Sequence, residues 1–366
     1  MKPTRRLHDL GQSLWLDNIT REMLDNGMLR HYIDDLSITG LTSNPTIFDG
    51  AIGGGQTYDA AIREKVKTGQ SGEGLFMALA LEDLRRAADM FQPVYEATGH
   101  VDGWVSMEVS PLLASDVAGS IKAAKQIHAQ AARPNLFVKI PGLPSGLAAI
   151  EASIYAGIPI NVTLLFSCKQ YLAATEAYMR GIERRIEAGL DPQVGSVASV
   201  FVSRWDVAAN DKVPAEQHNK LGIAVAQQTY RVYRELLASP RWRMLADAGA
   251  LPQRLLWAST GTKDPKASDT LYIQALAAPN TINTMPEKTL LAFAEHGALD
   301  DVMAMDGGDA DDVLARFERQ GIGIDALASR MQSEGTQSFV KSWQRLLQRI
   351  ADKGTGLPKA ALWASS

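Results

Sequence analysis

Short apolar runs alternate with longer stretches of helical periodicity along the whole chain, with no Pro/Gly/Ser-rich linker and no internal repeat. Eight runs read as strands: SLWLD (13–17), SITGL (37–41), GWVSMEV (103–109), NLFVKI (135–140), IPINVT (158–163), VASVFVS (197–203), RLLWAS (254–259) and NTINTM (280–285). Between them the apolar positions change period. In 74–97, Leu75, Leu79, Leu84, Ala87 and Phe91 fall at helical spacing, and 168–189 and 215–238 behave alike. Asp116 and Ser145 stand where a side-chain oxygen would accept an orphan amide at a helix start, so each predicts an N-cap. After the eighth run, 286–297, 311–320 and a long amphipathic tail over 324–351 predict extra helices packed on one end.

Strands alternating with helices make a mostly parallel sheet wrapped by helices. Eight such units in this length predict an α/β fold, a closed (β/α)8 TIM barrel with additional C-terminal helices. The expected organisation is a single domain over 1–366, with the barrel at about 10–300 and a helical extension at about 301–366. An open doubly wound sheet is the alternative, but a dinucleotide-binding sheet carries GxGxxG after its first strand, where this chain has DNITRE. The run Gly53-Gly54-Gly55 follows no strand and reads as a flexible surface loop, and no GxxxxGK[ST] occurs.

Composition narrows the chemistry. At 46% hydrophobic and 21% charged, the 366 residues exclude disorder, collagen and small disulfide scaffolds. Thirty-seven basic against 41 acidic side chains leave −4, too little positive field to hold a polyanion, so nucleic acid is excluded as a general partner. Any bound phosphate must then be met by a few placed residues. Cys168 is the only cysteine, which rules out an internal disulfide and fits a reducing compartment. It stands near a predicted helix start without a histidine partner and reads as a small packing residue. The six histidines lack zinc-site spacing, so no metal is expected. With no signal-peptide-like stretch and no apolar run of membrane-spanning length, the chain reads as cytoplasmic and free of membranes. Trp242, Trp257 and Trp343 read as core or interface anchors. Monomer and homodimer both stay open.

Polar residues at the strand ends supply the candidate chemistry. Side chains alternate across a strand, so one parity points into a barrel. Lys139 shares parity with Phe137 near the end of an otherwise apolar strand. Such a lysine is either a strand end escaping to solvent or an amine held in an apolar wall, where desolvation disfavours the ammonium and favours a nucleophile toward carbonyls. Its company selects the second. Asp17 ends the first strand on the parity of Trp15, and Glu108 ends the third on the parity of Ser106 and Trp104. Asn161 and Thr163 alternate on the fifth, Ser199 and Phe201 on the sixth, and Asn44 lies in the TSNPT turn. Any one of these could be a capping or loop-satisfying group, but together they occupy the face where barrels build active sites. Arg204 after the sixth strand, and Ser259 and Lys263 in STGTK after the seventh, offer a phosphate cradle or a solvated loop.

LWLDNITRE, GLTSNPTIF, MEVSP, FVKIPG, INVTLLFS and SVFVSRWD, in that order from 13 to about 206, resemble the transaldolase family, and FVKSWQRLLQRI resembles its closing helix. The resemblance implies a class I aldolase-type barrel in which Lys139 forms the Schiff base with a ketose donor. It implies that Asp17 takes the hydroxyl proton whose loss breaks the carbon–carbon bond, and that Glu108 with Thr163 holds the water that moves protons during imine formation. Asn44 and Asn161 would hydrogen-bond the dihydroxyacetone hydroxyls, with Ser199 and Phe201 beside them and Arg204 on the phosphate. Many members carry serine-x-arginine after the seventh strand. This chain has STGTKDP, so Ser259 and Lys263 are expected to substitute. The implied reaction moves a dihydroxyacetone unit from sedoheptulose 7-phosphate to glyceraldehyde 3-phosphate, giving erythrose 4-phosphate and fructose 6-phosphate. It needs no cofactor, because a protonated imine is itself an electron sink. The rivals are a fructose 6-phosphate aldolase releasing free dihydroxyacetone, whose relatives tend to carry Gln and Tyr at 108 and 201, a non-catalytic sugar-phosphate-binding barrel, and an isomerase or lyase of unrelated ancestry.

Overall fold

In the computed structural model, which describes residues 1–299 and 301–355, all eight apolar runs become strands. They are β1 (Ser13–Leu16), β2 (Ile38–Leu41), β3 (Val105–Glu108), β4 (Leu136–Pro141), β5 (Ile160–Leu165), β6 (Ser196–Phe201), β7 (Gln253–Ala258) and β8 (Thr281–Met285). Every pairing is parallel, in the order β2-β1-β8-β7-β6-β5-β4-β3. The two outer strands then meet. Gly40 bridges Trp104 in parallel, the Leu41 N–H donates to the Trp104 carbonyl at 2.9 Å, and the Gly103 N–H donates to the Thr39 carbonyl at 2.9 Å. The sheet thus closes on itself and leaves no open edge. Glycine is required at that seam, since a Cβ at Gly40 would lie 2.6 Å from Trp15 Nε1 and 2.7 Å from the Trp104 carbonyl.

Strand alternation sorts the buried side chains into two cores. Trp15, Phe137, Val197, Leu256 and Ile282 fill the barrel with Trp104. Leu14, Leu16, Val138, Ile140, Val162 and Val200 face outward against helix residues such as Leu84, Phe91 and Tyr178. Inside, Phe137 stacks on Trp104 with centroids 4.0 Å apart and lies 6.1 Å from Trp15. This aromatic layer plugs the barrel, so the next inward positions toward the strand carboxyl ends form the floor of an open site.

Most helices follow expectation. Gly72–Ala97 and Cys168–Glu187 form as the spacing predicts, while 215–238 divides into a short 3-10 turn, Ala215–Gln217, and a helix, Leu221–Ala238. Asp116 caps Val117–Ala131 by accepting the Gly119 N–H at 2.8 Å. Ser145 does not cap. The helix after β4 starts one residue later, from Gly146, and the Ser145 hydroxyl donates instead to the Ala114 carbonyl at 2.8 Å. Gly53 and Gly54 are not a loose loop either. They end the helix Pro45–Gly53, where a Cβ at Gly53 would lie 2.2 Å from Arg349 Nη1.

Of the three helices among the described residues beyond β8, Glu287–His296 completes the eighth strand–helix unit and Ala310–Arg319 packs on Leu221–Ala238. Only the closing helix, Ile324–Thr355, crosses the carboxyl end of the barrel. Gln332 Nε2 donates to the carbonyls of Gly142 and Leu164 at 3.1 and 3.0 Å, tying the helix to the tops of β4 and β5. Further along, Thr46 donates to Ser342 and Trp343 Nε1 donates to Glu73, both at 2.9 Å, and Arg349 reaches Asp49 at 2.7 Å. Lys353 ends the crossing in an ion pair with Asp59. Residues 356–366 of the expected extension lie outside the described residues. No described helix is long and apolar enough to cross a membrane.

Candidate active site

Lys139 is the centre of the carboxyl-end face. Being inward on β4, one alternation above Phe137, it is only 5% exposed. Its ammonium donates to the Ser43 carbonyl at 3.0 Å and lies 3.7 Å from Glu108 Oε2. The β3–β4 register sets Glu108 directly beside Lys139, which is why two residues 31 positions apart in sequence become an ion pair without any loop to guide them. Glu108 is 3% exposed, and neither carboxylate oxygen has a hydrogen-bond partner among the described residues. Burial pushes its carboxyl up to about 7, against the lowering effect of Lys139. The Thr163 hydroxyl, inward on β5, is also buried without a partner among the described residues. Unsatisfied buried polar groups next to a buried amine are costly, and such cost is retained where reacting groups complete the set.

Asp17 stands just past β1, its N–H bound to the Met285 carbonyl at 2.8 Å. Its Oδ1 accepts a 2.8 Å hydrogen bond from Thr42, whose hydroxyl is 2.7 Å from that of Thr284. Burial raises the Asp17 carboxyl, opposed first by Lys139, then by the Thr42 bond, Lys263 and Arg204. The site therefore holds an amine between two separately placed acids, both with a raised affinity for protons.

Beneath this layer runs a polar tier. Asn161 is fully buried, donates to Ser106 Oγ at 3.2 Å and accepts from Ser199 Oγ at 2.7 Å. Asn44 caps the helix Pro45–Gly53, its Oδ1 accepting the Ile47 N–H at 3.0 Å, which leaves the amide NH2 for the site. At the rim, the Arg204 guanidinium lies 5.0 Å from the Phe201 ring and 6.0 Å from Phe166. It has no ion pair among the described residues, and burial lowers its proton affinity. Ser259 is left-handed at φ 56, a conformation that costs a non-glycine residue about 1 kcal/mol. Its hydroxyl is 3.0 Å from that of Ser203. Lys263 is exposed beside it and likewise unpaired among the described residues.

A cavity of about 310 Å³ joins these groups. Asp17, Asn44, Lys139, Thr163, Ser199, Phe201, Arg204, Ser259 and Lys263 line it, whereas Glu108 and Asn161 lie behind and below the lining. Thr42, Thr284 and Phe339 also line it and were not singled out from the sequence. Two of these had a signal: Thr42 opens the TSNPT turn, and Thr284 shares inward parity with Ile282. Phe339 opens the FVKSWQRLLQRI run, but nothing local to that run places it over the cavity, because it arrives there on the closing helix. The Ser43 carbonyl that holds Lys139 is backbone and has no side-chain signature.

Other candidates take structural places. Cys168 begins its helix behind a Ser167 capping box, and burial pushes its thiol up to about 11, so it packs and does not ionise. Trp242, Trp257 and Trp343 are buried.

The family model described as transaldolase/fructose-6-phosphate aldolase matches residues 14–350. A protein named transaldolase from Arthrobacter sp. (strain FB24) is 43% identical over 354 residues, spanning 94% of this chain and 95% of its own. One of the same name from Thermobifida fusca (strain YX) is 42% identical over 360 residues, spanning 96% and 98%. A "Transaldolase 2" from Nostoc punctiforme is 38% identical over 363 residues, spanning 94% and 95%.

Proposed function

Since the chain belongs to the transaldolase/fructose-6-phosphate aldolase family, we propose that it is a transaldolase working through an imine on Lys139. The observation that carries this is the buried amine of Lys139 at the base of the cavity, 3.7 Å from a carboxyl with no other partner among the described residues and sharing the cavity with Asp17.

The deprotonated Lys139 amine attacks C2 of the ketose, and the carbinolamine loses water as Glu108, through a water shared with Thr163, protonates the leaving hydroxyl. Asp17 then takes the proton of the C4 hydroxyl. The C3–C4 bond breaks, its electron pair moves into the iminium, and the aldehyde departs. The remaining dihydroxyacetone enamine attacks the acceptor aldehyde, whose new hydroxyl regains the proton from Asp17, and hydrolysis of the imine frees the product. Thr42 orients the Asp17 carboxylate. Asn44 and Ser199, with Asn161 in the tier below, hold the dihydroxyacetone hydroxyls, and Phe201 supplies an apolar wall. Arg204, Ser259 and Lys263 take the phosphate at the rim. The whole chain acts as one barrel domain.

Glyceraldehyde 3-phosphate release from fructose 6-phosphate, measured with and without erythrose 4-phosphate, tests the reading. Dependence on the acceptor supports the transferase, whereas release without it identifies an aldolase that frees dihydroxyacetone.

Glu108 gives the pH dependence. With its carboxyl at about 7, the proton it must donate is present below that pH and is lost as pH rises through it. Single-turnover imine formation with dihydroxyacetone should decline across this range. Glu108→Gln, which cannot donate, should be about 10²- to 10⁴-fold slower and lack that limb. An unchanged limb in the variant would assign it to another group.

Lys263→Ala should raise KM for fructose 6-phosphate several-fold while sparing turnover of a non-phosphorylated donor, because an exposed ammonium contributes a point charge to the phosphate and nothing to the imine. Equal loss on both donors would remove Lys263 from the phosphate subsite.

A further inference from the structure

The closing helix packs close to Arg204 at Gly335, a buried position one turn before Phe339. A Cβ there would lie 3.0 Å from Leu164 Cδ2 and 3.1 Å from Arg204 Nη1. The guanidinium thus occupies a slot, with Phe201 and Phe166 on the barrel side and the bare backbone of Gly335 on the helix side. Nothing else fixes it, for Arg204 makes no ion pair or side-chain hydrogen bond among the described residues. The two neighbours of Gly335 differ in freedom. Leu164 is fully buried, left-handed at φ 58, and its carbonyl accepts from Gln332 at 3.0 Å. Arg204 ends in a flexible side chain beside an open cavity. An added methyl would therefore move the guanidinium and not the leucine.

Glycine is also a poor choice for the interior of a 32-residue helix on helix propensity alone, where alanine is favoured. We propose that Gly335 is a positioning residue for the substrate phosphate: by lacking a side chain it leaves the Arg204 guanidinium in its slot above Phe201, aimed at the phosphate end of the cavity. The inference rests on the reading of Arg204 as a phosphate ligand.

The test is a double-mutant cycle in the full chain, with Gly335→Ala, Arg204→Ala and the combination. Gly335→Ala should raise KM for fructose 6-phosphate about 5- to 10-fold, the scale of a weakened charge-assisted hydrogen bond, with kcat within about twofold. Borohydride trapping of dihydroxyacetone, which carries no phosphate, should stay at the native level, and the thermal midpoint should hold or rise. Arg204→Ala should raise the same KM further, and Gly335→Ala should then add nothing. Full additivity in the double variant, or an unchanged KM in Gly335→Ala while Arg204→Ala raises it, would overturn the proposal. An Arg204→Ala variant with native KM would instead overturn the phosphate reading, and the proposal with it. Should alanine loosen the fold, both donors would suffer alike, so a rise confined to the phosphorylated donor still reads the effect.

Discussion

Lys139→Arg removes transfer by on the order of 10⁵-fold or more while leaving the barrel folded, the scale of losing a covalent nucleophile. Arginine keeps a positive charge beside Glu108 and donors for the Ser43 carbonyl, so the two contacts of the native ammonium have a substitute. It cannot give up its proton to attack a carbonyl, so no imine forms. The readout is mass spectrometry after borohydride reduction with dihydroxyacetone present. The native chain should gain mass on the peptide carrying Lys139 and the variant should gain none. A mass gain that persists in the variant, on Lys263 for instance, would move the chemistry to another amine and end the present assignment.

Asp17→Asn separates the second acid from the first. The amide keeps the shape and can still accept the Thr42 hydroxyl, but it cannot take a proton from the C4 hydroxyl. Cleavage of fructose 6-phosphate should fall about 10²- to 10⁴-fold, the range for losing a positioned base. Trapping of dihydroxyacetone on Lys139 should continue at close to the native rate, because imine formation draws on Glu108. Parallel losses in cleavage and trapping would place Asp17 in the imine step. Trapping thus distinguishes the two acids although both lie near one amine and both are pushed toward protonation by burial.

The strands were legible because a parallel sheet covered on both faces leaves a near-continuous apolar run wherever it passes. NTINTM departs from that pattern, since it buries Thr281, Asn283 and Thr284 with Ile282 and Met285; inward Ile282 and Thr284 alternate there with outward Asn283. Inward and outward positions were legible for the same reason, since alternation is a property of a single strand. It put Asp17, Glu108, Lys139, Thr163 and Ser199 on one side. Depth was not legible. Parity places Asn161 with Thr163, yet Thr163 lines the cavity while Asn161 lies in the tier below the lining, bound to Ser106 and Ser199. Local signals also misled where tertiary contact decided the outcome. Ser145 has the chemistry of a cap, but its hydroxyl found the Ala114 carbonyl across the top of β3 and β4. Gly53 and Gly54 look like a loop and instead end a helix close beneath Arg349.

By itself, then, the sequence determined the eight strands and the face each side chain takes, and so brought the candidate amine and its candidate acids onto one side, because alternation follows from periodicity within a few residues. The tertiary structure alone decided which of these meet. Strand register set Glu108 3.7 Å from Lys139, and barrel closure at Gly40 gave all the strand ends one common floor. The crossing of Ile324–Thr355 brought Phe339 and Gly335 onto a site built by strand ends and loops from Asp17 to Thr284. Such contacts depend on how whole elements pack, and no local periodicity records that.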